Sequence, residues 1–340
     1  MSQIRTEVFD KVLSSTLYKF RDEIVNATFA DNVLLWYLNQ KDKVEEVDGG
    51  AGFREHVMLN EATMEPSFEG LDPFTAVDEQ PFEEAFFPWK FYRAPIIISD
   101  TEEQQNQGVS RIANLLEAKI DQVTQTLSKR LNTHLYQDGT GNKGKNLWGL
   151  QKVVDLNSYT TDSYAGFSRS TYSNWQPTVK SSVGKAFNLT TGYEALVTAV
   201  RNIMNTTSNV AKGRADIIIG TQNFFEWFEF CMYDLRWIPD EKFVDASFEG
   251  MRYGSATITY DPNFQKQTTT SGEEEAYVLN SNHISMKIKK GRNFTNLPFA
   301  PTYITGVVAK LALILSYLNL CVDNCQSVGL VTGVTAPATA

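Results

Sequence analysis

The chain is poor in disulfide-forming and metal-binding residues, since its 340 residues include three cysteines and three histidines. An odd number of cysteines in a chain of this length does not make a disulfide framework. Cys321 and Cys325 lie four residues apart and the histidines are scattered, whereas a structural zinc ion needs about four ligands. We therefore predict buried, free thiols and neither a metal site nor a cofactor.

The sequence also lacks an apolar run long enough to cross a membrane. Its best candidate, residues 307–322, is interrupted by Lys310 and Asn319, and a transmembrane helix needs about 18 consecutive apolar residues. The opening residues, MSQIRTEVFDKV, contain no apolar signal-peptide core. We therefore expect synthesis in a cytoplasm and no membrane partner.

Positive charge is scarce, with 31 Lys and Arg against 40 Asp and Glu, a net charge of −9. This balance argues against a protein whose main task is to grip nucleic acid. Residues 45–93 hold twelve acidic and three basic side chains and so carry the whole excess. Two interpretations stay open, a solvated acidic loop or a surface that meets a basic partner.

No catalytic signature stands out in the sequence. The G-x-G-x-x-G-K pattern at Gly139, Gly141, Gly144 and Lys145 matches a dinucleotide fingerprint, but such loops lead from a strand into a helix N-terminus. Here the glycines follow a helical pattern, which indicates a helix exit. Nothing in an open, proline-broken arm would desolvate the carboxylates of residues 45–93 and raise a pKa. We expect no enzymatic activity and assign no catalytic residue.

What the sequence does contain is a mixture of helical and strand patterns, which predicts an α+β fold. The clearest helix covers residues 100–137, with Asp100 as the N-cap, Glu103 completing a capping box, and a single apolar stripe. Apolar spacing predicts another helix over residues 9–24, and residues 190–240 have the pattern helix, strand, helix. Strands are expected at 215–219, 256–260, 276–279, 284–289 and 307–322, and a frayed tail over residues 332–340.

Residues 41–98 have a different character. The segment Asp48-Gly49-Gly50-Ala51-Gly52 indicates a turn, and Pro66, Pro73, Pro81 and Pro88 exclude a continuous helix. Aromatic pairs favour extended strands. We predict a long two-stranded excursion that buries little within its own chain and therefore needs a partner.

Several of these stretches, in this order, resemble the major capsid proteins of tailed bacteriophages. The resemblance lies in the order and spacing of the stretches and not in any single motif. They are N-V-L-L at 32–35 before the Gly-Gly turn, I-I-I-S-D-T-E-E-Q at 96–104, L-Y-Q-D-G-T-G-N at 135–142, L-W-G-L at 147–150 and R-S-T-Y-S-N-W at 169–175.

The resemblance implies the Hong Kong 97-type fold, which contains a long spine helix in its peripheral domain and an extended loop called the E-loop. Its parts would be an N-terminal arm at 1–44, an E-loop at 45–97, a peripheral domain at 98–147 and 284–325, and an axial domain at 148–283 and 326–340.

The resemblance also implies a structural role in the virion. Copies of the chain would form hexamers and pentamers that close into an icosahedral shell around the packaged DNA in the host cytoplasm. Scaffolding, portal and decoration proteins are the further partners to consider, with weak and non-specific contact to double-stranded DNA. Two alternatives stay open, an encapsulin-type compartment shell on the same fold and a soluble nucleotide-dependent enzyme.

An E-loop lying across a neighbouring subunit would bring its acidic residues against basic residues there. The acids in this hypothesis are Glu61, Glu65, Glu69 and Asp72. The candidate bases are Lys119, Lys129 and Arg130 on the long helix and Lys287, Lys289, Lys290 and Arg292 on a basic strand and its exit. In a competing hypothesis the arm docks through Phe82, Phe86, Phe87 and Trp89.

Overall fold

A computed structural model describes residues 32–60, 67, 69–70, 82–105, 109–181, 192–208, 213–232, 249–301 and 309–336. The helix expected over residues 9–24 lies outside the described residues, and so do Glu61, Glu65 and Asp72.

Helices and strands alternate irregularly along the chain. The helices are α1 (Val33–Gln40), α2 (Asp100–Gln105), α3 (Val109–Leu135), α4 (Leu150–Val153), α5 (Gly192–Ser208) and α6 (Gln222–Met232). The strands are β1 (Val44–Val47), β2 (Gly52–Met58), β3 (Phe82–Pro88), β4 (Lys90–Ser99), β5 (Ser163–Tyr164), β6 (Phe167–Ser168), β7 (Thr178–Lys180), β8 (Ile217–Gly220), β9 (Gly250–Tyr253), β10 (Ala256–Tyr260), β11 (Glu273–Leu279), β12 (Ile284–Lys289), β13 (Thr295–Pro301), β14 (Ala309–Val322) and β15 (Val328–Thr335).

A five-stranded sheet is built around β14, in the order β1-β12-β14-β13, with β4 also paired to β14. Strand β4 follows one edge of β14 over ten residue pairs, and β13 and β12 share the other edge. Every second side chain of β4 is buried because strand side chains alternate between faces. The buried row, which includes Ile96 and Ile98, shares a core with the apolar stripe of α3.

A six-stranded sheet has the order β7-β15-β11-β8-β10-β9. One of its faces packs against α5 and α6 in a core that contains Ile218, Ile258 and Val278. The opposite face, with Ile219 and Tyr277, joins the core of the five-stranded sheet. The helix–strand–helix pattern expected within 190–240 is confirmed as α5, β8 and α6, and the α+β fold class is confirmed with it.

Two short 3₁₀ turns connect the sheets. Strand β11 passes into β12 through Ser281–His283, and β14 passes into β15 through Cys325–Ser327. In each turn an asparagine side chain, Asn280 or Asn324, accepts a hydrogen bond from the backbone N–H two residues later. The two connections therefore have the same local hydrogen bonding. Both run between the β11–β15 pair of the six-stranded sheet and the β12–β14 pair of the five-stranded sheet.

The expectation of a frayed tail over residues 332–340 is wrong for residues 332–335, which belong to strand β15, and residues 337–340 lie outside the described residues. Strand β15 lies inside the six-stranded sheet, parallel to β7 and antiparallel to β11. Its small residues reflect close packing, because a Cβ on Gly329 would stand 2.3 Å from Ile203 Cγ2 on α5. Small side chains in this segment thus indicate a tightly packed strand and not a loose end.

The start of the long helical region also differs from the expectation. Strand β4 runs to Ser99, so the capping box is formed one residue earlier than predicted: Ser99 N donates to Glu102 Oε2 at 3.0 Å, and Glu102 N donates to Ser99 Oγ at 3.2 Å. Hydrogen bonds from Lys119 and Ser99 lower the pKa of Glu102. The 27-residue helix α3 spans about 40 Å at 1.5 Å per residue.

Strands β1 and β4 both belong to the five-stranded sheet. The part of the chain between these two strands, after Val47 and before Lys90, lies within the 45–97 segment expected from the sequence. The sequence V-E-E-V of β1 was not recognised as a strand because its two glutamates, at the sheet edge, are solvent-exposed.

The three cysteines are free and buried, as expected. Burial raises the pKa of Cys231 and of Cys325 to about 12 and raises the pKa of Cys321 as well. Because the thiolate is the reactive form, we expect no fast labelling by Ellman's reagent at pH 8 in the native protein, and labelling of three thiols in guanidinium chloride. Stoichiometric labelling of any cysteine in the native protein within minutes would contradict this packing.

Candidate assembly surface

Strands β2 and β3 form a separate two-stranded hairpin, whose register runs from Gly52 opposite Pro88 to Met58 opposite Phe82. Alternation places its side chains on two faces. The inner face carries Phe53, Glu55 and Val57 opposite Phe87, Ala85 and Glu83, and the outer face carries Arg54, His56 and Met58 opposite Phe86, Glu84 and Phe82.

The inner face is packed against the hairpin's own subunit. Phe87 is fully buried; its ring stacks on Phe53 at a centroid distance of 5.2 Å and meets the edge of Tyr164 at 5.7 Å. Trp89 is also buried, with its ring 5.0 Å from that of Phe53. The backbone approaches closely as well, because a Cβ on Gly52 would stand 2.3 Å from Phe87 O.

This packing corrects the hypothesis that the arm buries little within its own chain and docks on a neighbour through Phe87 and Trp89. Both side chains fill the core beneath the hairpin and are not accessible to a second subunit in this conformation. The sequence showed adjacent aromatic residues but not which face the subunit itself would cover.

The outer face, by contrast, presents large apolar side chains to solvent. Phe82 is 64% exposed, Phe86 is 43% exposed, and Met58 is similarly exposed. Strand β4 continues this apolar character with Phe91 and Ile97 in its outward row. Exposed apolar surface of this kind marks a contact site more often than a plain solvated surface.

Sequence reasoning missed Phe91 and Ile97. The signal was the period-2 alternation of K-F-Y-R-A-P-I-I-I-S at 90–99, which three consecutive isoleucines conceal. The alternation is visible in the structure, because Ile96 and Ile98 face α3 whereas Ile97 points away.

The bases on the long helix divide into two groups. Lys119 Nζ lies 2.7 Å from Glu102 Oε2 and 2.7 Å from the carbonyl oxygen of Ile97, so it already has partners within its chain. Lys129 and Arg130 are exposed on α3 and form no ion pair with any residue in the described part of the chain. Of the acids proposed to face them, Glu69 is described and is exposed.

The basic strand β12 is occupied by acids of its own chain. Lys287 Nζ lies 2.6 Å from Glu45 Oε2 and 2.9 Å from Glu55 Oε1, and Lys290 lies 3.4 Å from Asp48. Lys289 Nζ makes a long, 3.5 Å contact with the carbonyl oxygen of Gly50. The assignment of Lys287 to a neighbour's acids is therefore corrected, because its buried ammonium is neutralised internally.

Electrostatics agree with this internal role. Burial lowers the pKa of Lys287, but hydrogen bonds and charge from Glu45 and Glu55 outweigh that effect, so the pKa is raised overall. On the outer face of the hairpin, Arg54 lies 2.7 Å from Glu84 and lowers the pKa of that carboxyl.

The glycine pattern at 139–145 lies at the exit of α3, as the sequence indicated. Asn142 and Lys143 adopt left-handed conformations, with φ of 53° and 59°, and buried Lys90 donates to the carbonyl oxygen of Gly144 at 2.6 Å. The turn thus lies at the C-terminal side of a helix, where backbone carbonyls and not N–H groups are free.

Within the described ranges, no group of three or more His, Cys, Asp or Glu side chains is arranged to hold a metal ion. No helix in the described part of the chain is long and apolar enough to cross a membrane.

Comparison with known proteins finds similarity in structure and not in sequence. No protein-family model matches the chain, and no curated protein sequence matches it. The capsid of cyanophage A-1(L) superposes with a TM-score of 0.62 at 14% identity, covering 87% of this chain and 91% of that one. The capsid of Myoviridae phage XM1 gives 0.55 at 11% identity, with the same coverages of 87% and 91%.

A third solved structure, the SrpI encapsulin of Synechococcus elongatus PCC 7942, gives a TM-score of 0.54 at 8% identity, covering 89% of this chain and 90% of that one. The shared feature is the fold along nearly the whole chain. The protein therefore has the Hong Kong 97-type capsid fold, and the fold expected from the sequence resemblance is confirmed.

The two faces of the hairpin predict unequal effects for two adjacent phenylalanines. Phe87→Ala removes a fully buried ring and should lower the free energy of unfolding by about 3–5 kcal/mol. Phe86→Ala, its matched control, removes a ring that is 43% exposed and should lower that free energy by clearly less than Phe87→Ala does. Urea unfolding of the unassembled subunits measures both; similar destabilisation by the two variants would contradict the assigned faces.

Proposed function

We propose that this chain is a major capsid protein of a tailed bacteriophage, which assembles into hexamers and pentamers that form the icosahedral head around the genome. The observation that supports this most is the capsid fold extending over 87% of the chain. In this proposal residues 1–44 are the N-terminal arm and 45–97 the E-loop. The peripheral domain comprises 98–147 and 284–325, and the axial domain comprises 148–283 and 326–340.

The outer face of the hairpin supports contact with another copy of the chain. Its exposed phenylalanines, Phe82 and Phe86, project on a two-stranded element that leaves the sheet. A surface of this kind gains stability when it is covered. The chain's net negative charge suits a shell whose contact with packaged DNA is weak and non-specific.

An encapsulin-type compartment shell is the second candidate, because an encapsulin shares the fold with a TM-score of 0.54. The phage role is favoured because the cyanophage capsid superposes better, with a TM-score of 0.62. Scaffolding, portal and decoration proteins belong to the proposal as partners of the phage role, with assembly in the host cytoplasm.

Particles from producing cells distinguish the two candidates. We expect sedimentation and negative-stain microscopy to show closed shells, and nuclease treatment to leave protected DNA inside them. Shells that contain one abundant protein and no DNA would favour the compartment role. A chain that stays monomeric in its producing cells and with every co-expressed capsid partner would contradict both.

The acidic segment gives a second test, based on Glu61, Glu65 and Glu69 facing Lys129 and Arg130 of a neighbouring subunit. Single exposed ion pairs contribute only about 0–1 kcal/mol, but their effects accumulate when they repeat around a shell. Reversing the three glutamates to lysine should impair assembly at low salt, and adding Lys129→Glu and Arg130→Glu should partly restore it. Light scattering at several ionic strengths measures both effects.

The competing hypothesis is docking through the outer aromatic residues Phe82 and Phe86. A glutamate-reversed variant that assembles like the parent at every ionic strength would contradict the electrostatic contact. In that case alanine substitution of the two phenylalanines should impair assembly while the subunits stay folded.

A further inference from the structure

The hairpin is fastened to the five-stranded sheet at two neighbouring positions. Lys287 on β12 and Asn319 on β14 are directly paired across the two strands. Each side chain holds a different strand of the hairpin: Lys287 contacts Glu55 on β2, and Asn319 contacts Pro88 at the end of β3. The sheet therefore contacts both strands of the hairpin close to its base.

The Asn319 contact is neutral and fully buried. Its Nδ2 donates to the carbonyl oxygen of Pro88 at 2.9 Å, and its Oδ1 accepts from the backbone N–H of Trp148 at 3.1 Å. The side chain has no accessible surface. Dissolved salt has little influence on such a contact because no charge is involved and water does not reach it.

The Lys287 contact is different, because it is an ion pair that reaches solvent on one side. The lysine side chain is 9% exposed, whereas those of Glu45 and Glu55 are 48% and 31% exposed. Glu45 lies on β1, the edge strand of the five-stranded sheet, and only Glu55 lies on the hairpin. Of the two carboxylates, only Glu55 connects Lys287 to the hairpin.

We infer that the Lys287–Glu55 pair sets the direction in which the hairpin leaves the subunit, and that it is the salt-sensitive half of a two-point anchor. The Asn319–Pro88 bond holds the end of β3 against β14, and the ion pair holds β2 against β12. Under the proposed function, this makes Lys287 a positioning residue for assembly. Part of the salt dependence of assembly then originates inside the subunit.

Two isosteric variants separate this role from general stability. Glu55→Gln removes the charged contact between the hairpin and β12 while Glu45 still neutralises Lys287, and Glu45→Gln, the matched control, removes the carboxylate that does not lie on the hairpin. In unassembled subunits we expect Glu55→Gln to speed amide hydrogen exchange in β2 and β3 by about tenfold, the factor expected for a lost hydrogen bond to a charged group. Exchange in β12 and β14 should stay unchanged, and Glu45→Gln should leave the hairpin protected.

Salt provides a readout that a merely structural role would not change. Raising the salt concentration should speed exchange in β2 of the parent protein, and Glu55→Gln should abolish this response. Glu55→Asp, which keeps the charge, should restore part of it. Equal exchange in the parent and Glu55→Gln, equal effects of the two variants, or a salt response that persists in Glu55→Gln would each overturn the inference.

Assembly is measured separately, so that an error in the inferred anchor and an error in the proposed function give different results. We expect Glu55→Gln to yield shells of more variable diameter than Glu45→Gln in negative-stain images. Subunits that show the exchange pattern but never form shells would overturn the capsid role and leave the anchor in place. Uniform, parent-like shells from Glu55→Gln would overturn the positioning role of Lys287.

Discussion

The pairing of β14 with its neighbours is the constraint on which the rest of the subunit depends. Val47 pairs with Lys289, and the adjacent Ile288 pairs with Leu318, which also pairs with Lys90. The two ends of the excursion are thereby held three strand spacings apart, about 14 Å. This separation lets the chain leave and re-enter one sheet without disturbing it, while the inner face of the hairpin packs into the core.

Buried hydrogen bonds connect the long helix α3 to the segment that follows β10 of the six-stranded sheet. At the exit of α3, Asn132 Nδ2 and Tyr136 OH donate to buried Asp261 beyond β10, at 2.9 and 3.0 Å. Burial raises the pKa of Asp261, and hydrogen bonds from Asn263, Asn132 and Tyr136 oppose that shift. The long helix is thus linked to the six-stranded sheet through polar contacts, and one apolar core contains residues of the helix and of both sheets.

Much of this fold could be predicted from the sequence, because the spacing of apolar residues depends on the local secondary structure. Strands β10 and β12 begin and end where their patterns predict, and α5, β8 and α6 follow their expected order. The buried and exposed faces of the hairpin could not be predicted in the same way. Phe86 and Phe87 are the same residue type, and only the tertiary contacts of Phe87 bury its ring. Likewise, the number of acidic residues showed where the excess negative charge lies. It did not identify the basic partners of Glu45, Asp48 and Glu55, because those partners are more than 200 residues away in the sequence.

The central place of β15 has a consequence for how the protein is made. The strand at Val328–Thr335 separates β7 from β11, so the six-stranded sheet cannot close until the ribosome has produced residues far beyond β7. Pairings of such long sequence separation form late in folding. A nascent chain from which Val328–Thr335 is still missing therefore leaves β7 without its partner strand and one edge of β11 unpaired.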